Sequence, residues 1–171
     1  MGVKSCFQIN VGKMSEFIEA VKKEPEKGKF TFKTTTLWQG GSIGKTKVRN
    51  FEILTDEPEV LGGSDSGMDP IELLLASLST CVAIGFATQA AKRGIDFQDF
   101  TIETEGDIDV RGYFGLEGTR PGFQNIRYTV KVKSDVSEKE LAELLEIAES
   151  TSPMFDNISR GVPISTRVIK E

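Results

Sequence analysis

The chain has 171 residues, 21 basic and 26 acidic, a net charge of −5 and no histidine. That length suits one domain, with or without a small appendage, and buries about 70% of the unfolded surface without a disulfide or metal staple. Acids and bases are interspersed, so no electrostatic footprint for nucleic acid or an anionic membrane is expected. The missing histidine removes Ser-His and Cys-His nucleophile pairs, imidazole zinc sites and the usual general base near neutral pH. Any chemistry must use Cys, Lys, Arg or carboxylates. The run GSIGKT (41–46) is too short for a phosphate loop, and neither a metal nor a cofactor is expected. The N-terminus has no signal-peptide pattern, and no segment is expected to approach the roughly 18 apolar residues of a membrane span, which points to the cytoplasm. Cys6 and Cys81 form no Cys-x-x-Cys pair, and a reducing compartment disfavours a disulfide between them.

In chain order, KMSEFIEAVKK (13–23) places Met14, Phe17, Ile18 and Val21 at helical spacing, and EPEKGK then breaks it. Residues 1–29 are thus expected to form an N-terminal extension, a short helix with the character of a lid, ahead of a domain over 30–171. KFTFKTTTLWQ alternates, GGSIG turns and KTKVRNFEILTD alternates again, predicting a two-stranded hairpin. A Gly- and Asp-rich loop follows, ending in Asp69 as N-cap and Pro70 at the first helical position. The helix it opens is expected to end at Gly94. DFQDFTIETEGDIDV and FQNIRYTVKVKSD then predict two antiparallel strands, with Ile126, Tyr128, Val130 and Val132 on one buried face. The intervening Tyr113 and Phe114 read as core aromatics. Ser137 with Glu140 fits a capping box for a helix carrying Leu141, Leu144, Leu145 and Ile147. A turn, a short helix and a final strand, VPISTRVIK, complete an α+β order.

The helix DPIELLLASLSTCVAIGFATQAAKRG (69–94) is apolar on every side. Such a helix is buried all round, and a chain this small cannot wrap it completely, so a homodimer is expected. Cys81, near its middle, reads either as a small inert core residue or as a nucleophile. Periodicity does not choose between them.

PIELLLASLSTC, the strand pair after it, AESTSPMFDNI and VPIS together resemble the OsmC/Ohr family of osmotically inducible and organic-hydroperoxide-resistance proteins, over about residues 30–170. The resemblance implies an OsmC-like α+β fold, with antiparallel sheets around a central buried helix, in an intertwined homodimer with active sites between subunits. It further implies reduction of organic or inorganic hydroperoxides by a cysteine thiolate. The thiolate becomes a sulfenic acid, is captured by a second cysteine, and is reset by an external thiol or dithiol. Cys81 matches the peroxidatic position, and Cys6 reads as a bystander.

Three positions depart from that pattern. Ser152 in ESTSP stands where the resolving cysteine is expected, and cannot form a disulfide. Lys45 stands where the resemblance implies an activating arginine, and lacks its two-pronged fork. Ile71 stands where a glutamate is implied. The nearest carboxylate, Glu72, is nine residues from Cys81, about 13 Å along the helix and on its opposite face, and reads either as a first-turn carboxylate or as a site residue supplied across the dimer. Arg49, on the second hairpin strand, is the other candidate cation. The expected site therefore has Cys81, Lys45 and Glu72 as catalytic residues, with Arg49, Ser152, Pro153 and Phe155 around the substrate. A competing reading makes the protein a binding module for a small hydrophobic ligand at the dimer interface, with Cys81 as lining.

Overall fold

The computed structural model describes residues 8–170. It divides into two compact units, one formed by Asn10–Ala76 with Glu105–Asn125 and the other by Ser77–Thr104 with the chain from Ile126 onward.

In the first unit, helix α1 (Val11–Lys23) starts where the Asn10 side chain accepts the Lys13 N–H. Strands β1 (Thr35–Trp38), β2 (Gly44–Val48) and β3 (Phe51–Thr55) form an antiparallel meander in the order β1-β2-β3. The expected two-stranded hairpin is therefore corrected. The chain turns at Arg49–Asn50, so Val48 pairs with Phe51, and Arg49 takes a φ of 55°, the positive value that tight hairpin turns need at their first central residue. Arg49 accordingly sits in a turn rather than on a strand. Because β2 stops at Val48, residues 29–34 have no strand to pair with, and β1 begins only at Thr35.

The loop after β3 is organised by a carboxylate. Asp56 is buried, and its two oxygens accept the hydroxyls of Ser42, Ser64 and Ser66 and the backbone N–H groups of Glu57, Ser64 and Ser66. Hydrogen bonds from Ser42, Ser64 and Ser66, in that order, hold its carboxyl far below the ordinary carboxylate range, against the opposing effect of burial. A buried anion is tolerated because every lone pair finds a donor.

Helix α2 spans Pro70–Lys92 and ends as expected. Gly94 adopts a φ of 67°, and the Ile95 N–H bonds the Ala90 carbonyl, closing the helix with a left-handed glycine. In the second unit, Leu78, Val82, Phe86 and Ala90 form a buried stripe at four-residue spacing. Within one chain the other faces stay partly open, in line with the expectation that a chain this small cannot wrap the helix completely, and Ile84 is 66% exposed. The expectation that no segment reaches membrane-span length and apolarity is also corrected, since α2 meets both criteria.

Strands β4 (Asp99–Asp107) and β5 (Asn125–Lys133) form a two-stranded sheet. Burial alternates strictly along both, so one face, including Ile126, Tyr128, Val130 and Val132, turns inward. Helix α4 (Glu138–Ser150) opens with the expected Ser137–Glu140 capping box. It buries Leu144 and Ala148 against Phe86 and Ala90, with Phe97, Phe100 and Val132 packed around them. The Phe86 ring lies 4.8 Å from Phe100 and 5.7 Å from Phe97, centroid to centroid. Full burial of each such large side chain stabilises the fold by about 1.5–3 kcal/mol.

The short helix α3 (Val110–Tyr113) interrupts the loop between β4 and β5. Tyr113 and Phe114, expected in the core, are exposed and meet edge to face with ring centroids 5.2 Å apart. Helix α5 (Pro153–Arg160) follows α4 directly. The expected final strand is absent: residues 161–170 are exposed and form no ladder among the described residues. A strand needs an edge to pair with, and alternation alone does not supply one.

The buried Asp56 gives a pH-dependent outcome. Its folded-state pKa lies below the unfolded value near 3.8, so its contribution is complete above that value and is lost as pH falls toward the lower folded one. Thermal midpoints measured between pH 7 and pH 2 should fall more steeply below about pH 4 in the native protein than in Asp56→Asn. Asp56→Asn should also lower the midpoint at pH 7. Parallel acid limbs would show that Asp56 is not the group responsible.

Candidate functional site

Cys81 is half-buried on α2, and its neighbour is set by how α2 meets α4. A side chain at Gly85 would place its first carbon 3.2 Å from the Ala148 Cβ and 3.4 Å from the Ala148 Cα. The missing Cβ therefore permits a close helix approach at this point. Cys81 lies one turn before Gly85, and Ser152 lies four residues beyond Ala148. Because the helices run in opposite directions here, those two positions face each other. The Ser152 hydroxyl donates to the Cys81 sulfur at 3.2 Å.

Ser152 is held from three sides. Its N–H bonds the Glu149 carbonyl at the end of α4, and Pro153 occupies the first turn of α5, where no N–H is required. Its Oγ accepts the Phe155 N–H at 3.2 Å, which makes it the N-cap of α5. Thr-Ser-Pro thus forms an elbow between two helices, with Ser152 only 4% exposed at its inside. Upstream, the Tyr128 hydroxyl donates to the Glu149 carboxylate. Burial, followed by that carboxylate, pushes the Tyr128 phenol well above its ordinary pKa, so it remains a donor.

A serine hydroxyl has one proton to donate and two lone pairs to accept with. The Phe155 N–H takes a lone pair, and the proton goes to sulfur. The arrangement presents a donor to the cysteine rather than a base.

Of the residues singled out in the sequence, the structure brings together Cys81, Ser152 and, through its backbone N–H, Phe155. Pro153 supports the elbow and is exposed. The other three belong to the first unit, each with a local partner. Lys45 lies 2.7 Å from Glu52 and Lys47 lies 3.2 Å from the same carboxylate. Hydrogen bonds from Lys45 and then Lys47 hold the Glu52 carboxyl below its usual range. The Arg49 guanidinium lies over the Phe51 ring at 5.3 Å. Glu72 accepts the Asp69 N–H, and the Asp69 side chain accepts the Ile71 N–H, so both carboxylates serve backbone donors at the start of α2. Cys6 lies outside the described residues. Sequence reasoning missed Gly85, Ala148, Tyr128 and Glu149. The first two had a readable signal, small residues spaced four from Cys81 and Ser152. The Tyr128–Glu149 pair had none.

An α+β chain with a cysteine on its long apolar helix, faced by the elbow of a later helix pair, defines the class. A family model described as OsmC-like protein matches residues 63–167, and the chain belongs to the OsmC-like family. The Bacillus subtilis protein YmaD is 28% identical over 135 residues, covering 74% of this chain and 85% of its own length. The crystal structure of an OsmC-like protein from Mycoplasma pneumoniae superposes with a TM-score of 0.66 at 18% identity, covering 77% of this chain and 89% of that one. An organic hydroperoxide resistance protein from Legionella pneumophila gives 0.60 at 17% identity, covering 77% and 91%. At these identities the solved structures establish the fold.

The site geometry leads to an engineered cross-link. A disulfide needs Cα atoms within about 7 Å and sulfurs about 2.05 Å apart, which side chains already 3.2 Å apart approach with a small rotation. Ser152→Cys should form a disulfide between positions 81 and 152 within one chain on mild oxidation, seen by non-reducing peptide mapping. Free thiols at both positions would contradict the placement of the elbow.

Proposed function

We propose that this protein reduces hydroperoxides through Cys81 as its single peroxidatic thiol, with an external thiol or dithiol as reductant. The observation that carries this reading is the hydroxyl donor fixed on the Cys81 sulfur, at a half-buried position on the central helix of an OsmC-like fold. The reacting form of a cysteine is the thiolate, and a hydrogen-bond donor interacts more strongly with an anionic sulfur than with a neutral one. Solved relatives of this fold carry the name organic hydroperoxide resistance protein. Ser152 cannot close a disulfide, so this reading assigns the sulfenic acid formed at Cys81 to an external thiol. The setting is cytoplasmic, and neither nucleic acid nor a membrane is a partner.

Native protein treated with substoichiometric cumene hydroperoxide should carry a sulfenic acid at Cys81 by mass spectrometry after dimedone trapping. Cys81→Ser should lose thiol-linked turnover by at least about a hundredfold, because no other group in the site is a comparable nucleophile. Unmodified Cys81, or equal turnover in the variant, would favour instead a binding module for a small hydrophobic ligand.

The same reading includes a homodimer. Outside its buried stripe α2 keeps apolar side chains partly open, Ile84 among them, and a second copy of the chain would cover them. Sedimentation equilibrium at micromolar concentration should give twice the chain mass of 18.8 kDa. A folded monomer would overturn the dimer.

A further inference from the structure

We infer that Ser152 is a catalytic residue of this protein, keeping its O–H as a fixed hydrogen-bond donor to the Cys81 sulfur while that sulfur reacts. The inference rests on the peroxidatic reading of Cys81 and adds a role for the side chain at the helix elbow.

Three observations carry it. The donor is pre-aimed: the Phe155 N–H occupies an acceptor site of Oγ, and the Ser152 O–H is directed at the sulfur. It is dry, since Ser152 is 4% exposed, and a hydrogen bond to a charged group is stronger where water does not compete. It is also rigid. Pro153, the α5 N-cap and the bond from the Ser152 N–H to Glu149 fix its backbone, and Tyr128 fixes Glu149 in turn. Measured from the thiol, the reacting sulfur gains negative charge, and a donor already in place meets that charge without reorganisation.

The step balances without covalent change at Ser152. Cys81 gives its proton to solvent, and the thiolate attacks the distal oxygen of the hydroperoxide. The S–O bond forms as the O–O bond breaks. The departing alkoxide takes a proton from solvent, so thiol and hydroperoxide become sulfenic acid and alcohol. The sulfur is oxidised, the peroxide is reduced, and Ser152 keeps its proton throughout.

The competing role for Ser152 is that of a helix cap and no more, and the two roles separate by substitution. Glycine is nearly as good an N-cap as serine but has no hydroxyl, alanine lacks both functions, and threonine keeps both. The measurement is the second-order rate constant for Cys81 oxidation by cumene hydroperoxide at pH 7, with far-UV circular dichroism and the thermal midpoint recorded for each variant. Ser152→Ala and Ser152→Gly should both react about tenfold or more slowly, as loss of a hydrogen bond to a charged group implies. Ser152→Thr should stay within about threefold of the native rate. A native rate in Ser152→Gly with a slow Ser152→Ala would reduce the residue to a cap and overturn the inference. A native rate in both, with Cys81→Ser inactive, would overturn it while leaving the peroxidatic reading standing. Turnover undiminished in Cys81→Ser would remove that reading, and the inference with it.

Discussion

The close approach of α2 and α4 is the constraint on which the candidate site depends. It exists because position 85 is glycine and position 148 is alanine, so two helix backbones meet where larger side chains would hold them apart. Everything one turn away follows from that contact. On one side Phe86 meets Leu144 in the buried core, and on the other Cys81 meets Ser152. Interiors packed as densely as crystals leave little slack for such an approach to drift. The sulfur–hydroxyl pairing is as well fixed as the core beside it.

The start of α2 is set by electrostatics rather than packing. Asp56 draws three serine hydroxyls and three backbone N–H groups around one carboxylate, and the loop that leads to Asp69 and Pro70 is folded about it. The helix then opens with Glu72 accepting the Asp69 N–H and Asp69 accepting the Ile71 N–H. Within one chain Glu72 serves that backbone donor, and Lys45 pairs with Glu52. An exposed ion pair of this kind contributes about 0–1 kcal/mol. Its effect is to neutralise Lys45 locally as much as to stabilise the meander.

What replaces the second cysteine is more than a vacancy in the resemblance. A serine at the elbow keeps the helix cap and the contact to sulfur, and forgoes the ability to close a disulfide. Under the proposed peroxidatic reading, reversal of oxidation at Cys81 falls to an external thiol, with over-oxidation as the competing fate. The elbow itself is reinforced through Tyr128 and Glu149, whose bond ties β5 to the last turn of α4.

The sequence by itself determined the elements whose signals are local. The Asp69–Pro70 start, the Gly94 stop and the Ser137–Glu140 capping box depend on backbone groups within four residues of the signal, and all three stand in the structure. The inward face of β5 was legible because strand side chains alternate, whatever lies opposite. The resemblance carried the family and the place of Cys81. Tertiary structure decided what depends on a partner distant in the chain. The VPISTRVIK segment alternates like a strand yet pairs with no strand among the described residues. Residues 29–34 lost their partner to a turn at Arg49, a residue that gives no turn signal alone. Whether α2 is buried on one face or all faces depends on what surrounds it, and composition cannot count neighbours. Ser152 was readable as a missing cysteine, but its hydroxyl could be aimed at sulfur only by an elbow 71 residues away, because a hydrogen bond is a fact of position and direction that no spacing in the chain encodes.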